Sequence, residues 1–394
     1  MTDDGDRAGD SRHTSRAFSN VSIRAGSWIT TFGAWEGVLL GILVVELIGF
    51  SMGSHGFFGG GEGALKELQQ FPGIAIASIG LGFVIITGGI DLSIGSVASL
   101  SGVLTAELWS SAGIPIFAAS LISLVVATLI GVINGLIITV GRVHSLIVTL
   151  ATMFVVASIA QVVEGTPQPY TFPNGFLAIG NGSFVGIPIS DLIFFGVALV
   201  AGFVAGFTPF GRKLIMIGSN EPAARYAGVR IQRVLIINYA QCSFLAGLAG
   251  LVMSSLYVAA RADLAEQLLL PALTACVMGG LNIFGGSGSV RGIVLGVLVV
   301  GFLQQGLLLY GVNSVEVQLL TGVLLAASVA ARNTFSGQRL RDWLTTTSTS
   351  GGSGPELRRG GNEKLKNLAL IAAPDTRHGG VSQANSTPHT PSQL

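Results

Sequence analysis

Asp91 is the residue whose position in the sequence most directly suggests chemistry. It lies within a long apolar stretch, beside Gly88, Gly89 and Gly95. A carboxylate in an apolar span is costly unless it is paired, hydrated or at the interface, so such residues usually have a function. The glycines can interrupt a helix and bring backbone groups to a cavity. We expect Asp91 to stabilise a gate or the local structure rather than to bind a solute. Ser93 can cap the following helix or contribute to the same site.

Uncharged polar side chains within or beside other apolar stretches form a second set of candidates. A route for a solute rich in hydroxyl groups requires hydrogen-bonding side chains that do not hold the solute tightly. Hydrogen bonding between helices is the structural alternative for each of them. The candidates are Asn134, Thr149, Asn282, Gln304 and Gln305. Asn282 lies in residues 279–283 (Gly-Gly-Leu-Asn-Ile), which repeat the pattern of residues 88–92 (Gly-Gly-Ile-Asp-Leu) and are compatible with a parallel internal repeat.

The sequence contains no pattern of a catalytic or metal-binding site. Cys242 and Cys276 each lie in an apolar run without neighbouring metal ligands, and we interpret them as small core residues. There is no His-Glu-x-x-His motif and no Gly-x-x-x-x-Gly-Lys-Ser/Thr loop for nucleotide phosphates. We therefore predict no catalytic residue, no metal and no cofactor bound by this chain, and an enzyme is the weakest interpretation.

Composition indicates that lipid surrounds the elements that carry these residues. Half of the residues are hydrophobic and 10% are charged, whereas about a quarter are charged in soluble domains. The 56 glycines are typical of helices that pack closely in membranes. Residues 1–32 contain four Asp and four Arg and lack the apolar core of a secretory signal. Residues 1–34 and 333–394 are predicted to be largely disordered tails.

Ten apolar stretches are long enough to cross a bilayer. They predict an all-α, polytopic membrane protein with a transmembrane domain over residues 35–332. The stretches are 35–50, 72–90, 92–112, 115–140, 144–164, 188–208, 233–256, 267–284, 290–310 and 315–332. The boundary between the second and third is the least defined, so nine or eleven helices are alternatives.

The distribution of Lys and Arg predicts the orientation, because cytoplasmic loops of membrane proteins are enriched in both. With a cytoplasmic N-terminus, the outer loops contain only Lys66 and Arg261. The inner loops and the residues after the last span contain Arg142, Arg212, Lys213, Arg225, Arg230, Arg233, Arg291, Arg332, Arg339 and Arg341. Both tails are therefore predicted to be cytoplasmic.

The longest inner segment, residues 209–233, has the signals of a short helix. Ser219 or Asn220 can serve as the N-cap, Glu221 lies in the first turn, and Gly228 can end the helix. A short helix held at the membrane by two spans can transmit motion from a cytoplasmic partner. A loop whose cations only fix the topology is the alternative.

Four segments, in order along the chain, resemble the permease subunits of bacterial ribose-type sugar importers of the ATP-binding-cassette superfamily. They are residues 88–96, residues 131–136 with 149–153, residues 211–228 and residues 279–290, and the resemblance covers roughly residues 35–330. It implies import of a small sugar-like or polyol solute across the bacterial cell membrane. It also implies that the inner segment couples to an ATPase, with Gly211, Arg212, Gly218, Glu221, Ala224 and Gly228 as the coupling residues.

Further segments resemble one branch of that family, the D-type permeases of autoinducer-2 importers. They are residues 260–264, 270–275, 282–288 and 303–307. Permeases for rhamnose, erythritol and other polyols share much of this pattern. The resemblance implies a cytoplasmic ATPase that binds ATP and Mg²⁺, an extracytoplasmic solute-binding protein and a second permease, in a heterodimer or a homodimer, with no nucleic acid. A self-sufficient secondary transporter is the alternative, but it gives no reason for the capped inner helix.

Overall fold

The computed structural model describes residues 34–53, 69–166 and 170–335, with the backbone alone for residues 34, 53 and 331–335. The described residues up to 332 belong to one compact unit. The predicted tails lie almost wholly outside the described residues, as does Lys66, and remain predictions.

Helices dominate the described part of the chain. They are α1 (Ala34–Gly53), α2 (Pro72–Ile86), α3 (Ile94–Ser110), α4 (Ile116–Val140), α5 (Ser145–Glu164), α6 (Asn174–Asn181), α7 (Ile189–Phe207), α8 (Pro209–Ser219), α9 (Glu221–Tyr226), α10 (Ile231–Leu256), α11 (Leu269–Met278), α12 (Val290–Leu309) and α13 (Ser314–Phe335). A 3₁₀ helix over Glu266–Leu268 precedes α11. Between α6 and α7, strands β1 (Ser183–Phe184) and β2 (Ile187–Pro188) pair antiparallel, with Ser183 opposite Pro188.

The all-α, polytopic prediction is confirmed, whereas the count of ten spans remains a prediction. Each of the ten predicted stretches contains a helix. By length and composition, six described helices can cross a membrane, namely α1, α4, α5, α7, α10 and α12. The predicted ends of two stretches, 72–90 and 267–284, were wrong. The helices end at Ile86 and Met278 because Gly88 and Gly280 have φ of 82° and 88°, which only glycine adopts without strain.

Helix α10 lies at the centre of the bundle, packed against α2, α3 and α4. In its apolar span 61% of residues are buried, against 17% in α1. Close approach depends on glycines, since a Cβ on Gly250 would collide with the backbone of Ala98, and one on Gly131 with that of Tyr239. Such contacts between small residues are how helices associate in lipid.

The outer surface of the bundle is apolar. Helix α4 exposes large side chains at every fourth position, a spacing that places them on one face. These are Phe117, Leu121, Val125, Leu129 and Ile133. An apolar ridge of this length is unfavourable in water and suits a lipid or protein environment.

Candidate functional site

The two glycine-containing breaks in the sequence lie against each other in the structure. We call residues 87–93, after α2, together with residues 279–289, after α11, the paired breaks. The backbone N–H of Gly286 donates a hydrogen bond of 2.9 Å to the carbonyl oxygen of Ile86. A Cβ on Gly88 would lie 3.3 Å from the carbonyl oxygen of Phe284. The repeated pattern noted in the sequence therefore corresponds to two helix ends that meet.

The first turn of α1 covers the second of these breaks. The indole N–H of Trp35 donates to the carbonyl oxygen of Met278 at 2.8 Å. The hydroxyl of Ser289 donates to Oε1 of Glu36 at 3.2 Å and accepts from the N–H of Gly292, which caps α12. These contacts fix the start of α12 against α1.

Asn282 stabilises the turn that contains it. Its amide nitrogen donates to the carbonyl oxygen of Gly285 at 2.9 Å, and its Oδ1 accepts from the N–H of Phe284 at 3.3 Å. Its backbone N–H donates to the carbonyl oxygen of Ser287 at 3.1 Å. These contacts are local to the turn, and they support a structural role for Asn282 rather than a place on a solute route.

Helix α8 of the inner segment ends directly on the paired breaks. A Cβ on Gly218 would collide with the carbonyl oxygen of Ile86 and would lie 2.5 Å from the backbone nitrogen of Gly286. The hydroxyl of Ser219 donates to the carbonyl oxygen of Gly286 at 3.3 Å. Only glycine at position 218 allows this approach, so the predicted coupling segment touches both breaks at one point.

The short helix α9 is capped and largely exposed. Of the two predicted N-caps, Asn220 is the one observed, because its Oδ1 accepts from the N–H of Ala223 at 3.0 Å. Glu221 pairs with Arg225 at 3.1 Å on the exposed face. Ala224 is buried and anchors the helix. Tyr226 is 94% exposed, which leaves an aromatic ring free to contact a partner.

The remaining predicted coupling residues shape the ends of this segment. A Cβ on Gly211 would collide with the backbone of Ala205, so Gly211 permits the tight join between α7 and α8. Gly228 has φ of 79° where α9 ends. Arg212 is exposed on α8. The prediction of one helix in this segment was incomplete, since residues 209–219 form a helix of their own.

Asp91 is fully buried and belongs to a hydrogen-bonded network that joins the first break to α4 and α5. Its Oδ1 accepts from the backbone N–H of Ser93 at 2.9 Å and from the Ser93 hydroxyl at 2.6 Å. The amide of Asn134 donates to the Ser93 hydroxyl at 3.2 Å. The hydroxyl of Thr152 donates to Oδ1 of Asn134 at 2.6 Å. We call these four residues the Asp91 network.

Two further observations support a structural or gating role for this network. Ser93 occupies the N-cap position of α3, but its hydroxyl donates a hydrogen bond to Asp91 and makes no capping bond. The hydroxyl of Thr149 lies 3.2 Å from the carbonyl oxygen of Ile90, so α5 also contacts the break directly. In the part of the chain that the structure describes, Asp91 forms no ion pair and is held by neutral donors.

Gln304 and Gln305 lie apart from the Asp91 network. Both line a cavity of about 440 Å³ between α2, α10, α11, α12 and α13. The amide of Gln304 donates to the hydroxyl of Thr321 at 3.0 Å. The cavity lies at the far ends of α2 and α12 from the paired breaks, because it is lined by residues 70–74 and 301–308. The predicted route residues thus divide between the Asp91 network with the neighbouring Thr149, a local turn and this cavity.

Comparison with known proteins identifies the family. Residues 64–329, which include every predicted site residue, match a family model described as the permease component of branched-chain amino acid transport systems. The chain belongs to this family of permeases. It is therefore the translocating subunit of an ATP-binding-cassette importer, a multi-pass protein of the inner membrane that is not itself catalytic. Such a permease works with an ATPase and a solute-binding protein.

Two relatives of this permease are autoinducer 2 import system permease proteins, LsrD. The one from Photorhabdus luminescens is 32% identical over 317 residues, which are 79% of this chain and 95% of the relative. The one from Escherichia coli strain K12 is 33% identical over 317 residues, or 79% of this chain and 96% of the relative. No solved structure matches the chain. The importer interpretation is confirmed over the secondary transporter.

Sequence reasoning missed several residues of these sites. Tyr226 carried a signal, because it is the only aromatic residue in the helix Glu221–Tyr226. Gln70, Gln267 and Gln318 also line the cavity. Gln267 and Gln318 lie within the predicted stretches 267–284 and 315–332, so the criterion that selected Gln304 could have found them, whereas Gln70 precedes its helix and carried no such signal. Only the tertiary structure brings them together.

Proposed function

We propose that this permease imports autoinducer-2 or another small, uncharged, sugar-like solute, and that it pairs with a second, different permease. The names of the relatives from Photorhabdus luminescens and Escherichia coli support the solute class. A homodimer that imports another polyol, such as rhamnose or erythritol, is the second candidate.

The observation that carries the proposed mechanism is the contact of Gly218 with both paired breaks. Movement of α8 towards the breaks cannot leave Ile86 and Gly286 in place, since no side chain or gap separates these backbones. Packed interfaces of this kind shift between discrete arrangements rather than deform continuously. A push on the inner segment therefore moves the ends of α2 and α11 together.

The Asp91 network extends this movement into the bundle. The break after α2 is joined to α4 through Asn134 and to α5 through Thr149 and Thr152. In this mechanism helices α2, α4, α5 and α11 reorient as one group when α8 is displaced. Asp91 holds the break together during this change, and the neutral cavity at the other end of α2 and α12 faces the solute.

The ATPase supplies the displacement. ATP with Mg²⁺ is bound and hydrolysed on that partner, and its closure acts on α8 and α9. The surface beside α9 is basic, because Arg225, Arg230 and Arg233 line a cavity of about 330 Å³ there. This charge suits an acidic surface on the ATPase, and the exposed ring of Tyr226 suits an apolar contact.

Purification of the tagged chain from its native host in mild detergent tests this assembly. We expect an ATPase and a second permease to co-purify, and uptake of labelled autoinducer-2 by cells to be lost when the gene is deleted. An ATPase with only this permease would establish the homodimer instead. A lone protein that still transports would contradict the coupling mechanism.

A further inference from the structure

The cavity that contains Gln304 and Gln305 is unusually rich in glutamine. Five of the nine glutamines that the structure describes line it, from four separate segments of the chain. They are Gln70, Gln267, Gln304, Gln305 and Gln318. We call this space the glutamine cavity. Adjacent residues on a helix point about 100° apart. Gln304 and Gln305 both line the cavity, so it extends around part of the circumference of α12.

The glutamine side chains are available to a ligand. Gln304 donates to Thr321. For the other four, the described residues provide no side-chain hydrogen bond. A carboxamide has two N–H donors and an acceptor oxygen with two lone pairs. Hydroxyl groups likewise donate and accept, so each glutamine can bind a hydroxyl group either as hydrogen-bond donor or as acceptor.

The cavity also has apolar walls and a closed side. Met253 and Leu256 contribute apolar surface that suits the C–H face of a sugar. The ring of Phe71 packs against Phe302 with centroids 5.5 Å apart, and a Cβ on Gly301 would lie 2.6 Å from that ring. The volume of about 440 Å³ falls within the range of about 300–1,000 Å³ that is usual for small-molecule sites.

The charge of the lining distinguishes between ligand classes. Among the described lining residues there is no Asp, Glu, Lys, Arg or His. An amino acid carries a carboxylate and an ammonium group, and burying either without a partner is costly. The lining therefore disfavours the branched-chain amino acids after which the matched family is described, and it favours a neutral solute with several hydroxyl groups.

We propose that the glutamine cavity binds a small, uncharged, polyhydroxylated solute weakly, within a single permease chain and at its outer end. The inference rests on the proposed import of a sugar-like solute and adds a site and a selection rule to it. The outer location follows from the arginine distribution, since Arg142, Arg212 and Arg291 mark the opposite ends of the helices as cytoplasmic. Weak binding allows the solute to move on.

Protection of an introduced cysteine tests the site directly. Gln305→Cys in the complete importer, in sealed right-side-out vesicles, is treated with a membrane-impermeant maleimide with and without D-ribose, erythritol or L-leucine. Cys242 and Cys276 are both buried, so the reagent reports the new thiol. The labelling rate should fall by the factor 1 + [L]/Kd, which is about elevenfold at ten times the Kd.

We expect labelling of Gln305→Cys, with protection by at least one of the two neutral probes and none by leucine. Gln318→Cys provides a second position if the first variant does not fold, and Gln161→Cys is the control, because Gln161 is exposed on α5 away from the cavity. Protection by leucine equal to that by the sugars would overturn the ligand class. No protection at either cavity position, or no labelling from outside, would overturn the site.

Transport separates this inference from the proposed function. Gln305→Leu combined with Gln318→Leu should reduce uptake severalfold, while the ATPase still co-purifies and Gln161→Leu transports normally. If the assembly is wrong, no ATPase co-purifies, yet the cysteine protection can still be observed. If the cavity inference is wrong, the ATPase co-purifies and the double variant transports normally.

Discussion

Replacement of Gly218 by alanine tests whether the contact between α8 and the paired breaks transmits motion. The new methyl group would collide with the carbonyl oxygen of Ile86 and would lie 2.5 Å from the backbone nitrogen of Gly286. These two groups share a hydrogen bond of 2.9 Å. Helix α8 must therefore retreat, or the bond must break.

The size of the effect follows from the bonds at this point. Retreat of α8 would also separate the hydroxyl of Ser219 from the carbonyl oxygen of Gly286, now 3.3 Å apart. Two hydrogen bonds contribute about 0.5–1.5 kcal/mol each, so the contact should weaken by about 1–3 kcal/mol. A coupling free energy of that size corresponds to a change of about 5- to 150-fold. We expect the amount of solute imported per ATP hydrolysed to decrease by a factor in that range.

The assay measures both quantities in one preparation. The complete importer is reconstituted in proteoliposomes with its solute-binding protein, and labelled autoinducer-2 uptake is divided by phosphate release. Gly206→Ala is the matched control, because it makes the same change on neighbouring α7 at a position where a Cβ would meet nothing within 4 Å. The ATPase should still co-purify with Gly218→Ala, since the exposed face of α9 is unchanged.

A wild-type ratio of uptake to hydrolysis in an assembled Gly218→Ala importer would refute this reasoning. It would mean that α8 can shift without moving the breaks. Loss of uptake in Gly206→Ala as well would show that the region tolerates no added methyl group, and would remove the contact at Gly218 as the explanation.

Four further substitutions test the other parts of the mechanism. Asp91→Asn retains an oxygen for its two hydrogen bonds but replaces the other carboxyl oxygen with an amide nitrogen. We expect lower uptake at an unchanged amount of protein in the membrane, and full uptake would remove Asp91 from the site. Asn134→Ala removes the hydrogen bonds that join Ser93 to Thr152 on α5. It should lower stability by about 1–3 kcal/mol, seen as a lower midpoint of thermal unfolding in detergent. Ser158→Ala is its control, since that hydroxyl bonds to its own helix, and equal midpoints for the two variants would contradict the network. Tyr226→Ala removes a ring that is 94% exposed. We expect a loss of about 1–2 kcal/mol of binding free energy, which would weaken ATPase binding about 5- to 30-fold in a nanodisc titration. The exposed ion pair between Glu221 and Arg225 contributes at most about 1 kcal/mol by itself. A greater loss of ATPase binding free energy in Glu221→Lys would therefore reflect a lost contact with the ATPase. Unchanged ATPase binding in both Tyr226→Ala and Glu221→Lys would place the contact elsewhere.

The sequence was informative where a single local pattern determines the structure. The break at residues 88–92 was predicted from its glycines, and the capped helix at 221–226 from Asn220 and Glu221. These features depend on backbone strain and on capping, which act over a few residues. Family membership could also be predicted, because the motifs that carry the resemblance are contiguous segments.

The contacts between distant segments could not be predicted in this way. The hydrogen bond between Ile86 and Gly286 joins residues 200 positions apart. Nothing near Gly218 in the sequence indicates that its missing side chain makes room for two other backbones. Likewise Gln70 looks like an ordinary polar residue before a helix until the fold places it in the same cavity as Gln305.

Helices α2 and α12 connect the two sites, and their burial explains how a small displacement can act over that distance. Each helix has one end at the paired breaks and the other at the glutamine cavity. With 15 residues, α2 is about 22 Å long, and every residue of it except Ile74 is buried. A helix enclosed by protein along its whole length cannot bend into lipid, so a shift at Ile86 must appear at Gly73 or be absorbed by α10. Since α10 is itself the packed centre of the bundle, we expect the shift to reach the cavity and to change its shape when the ATPase closes.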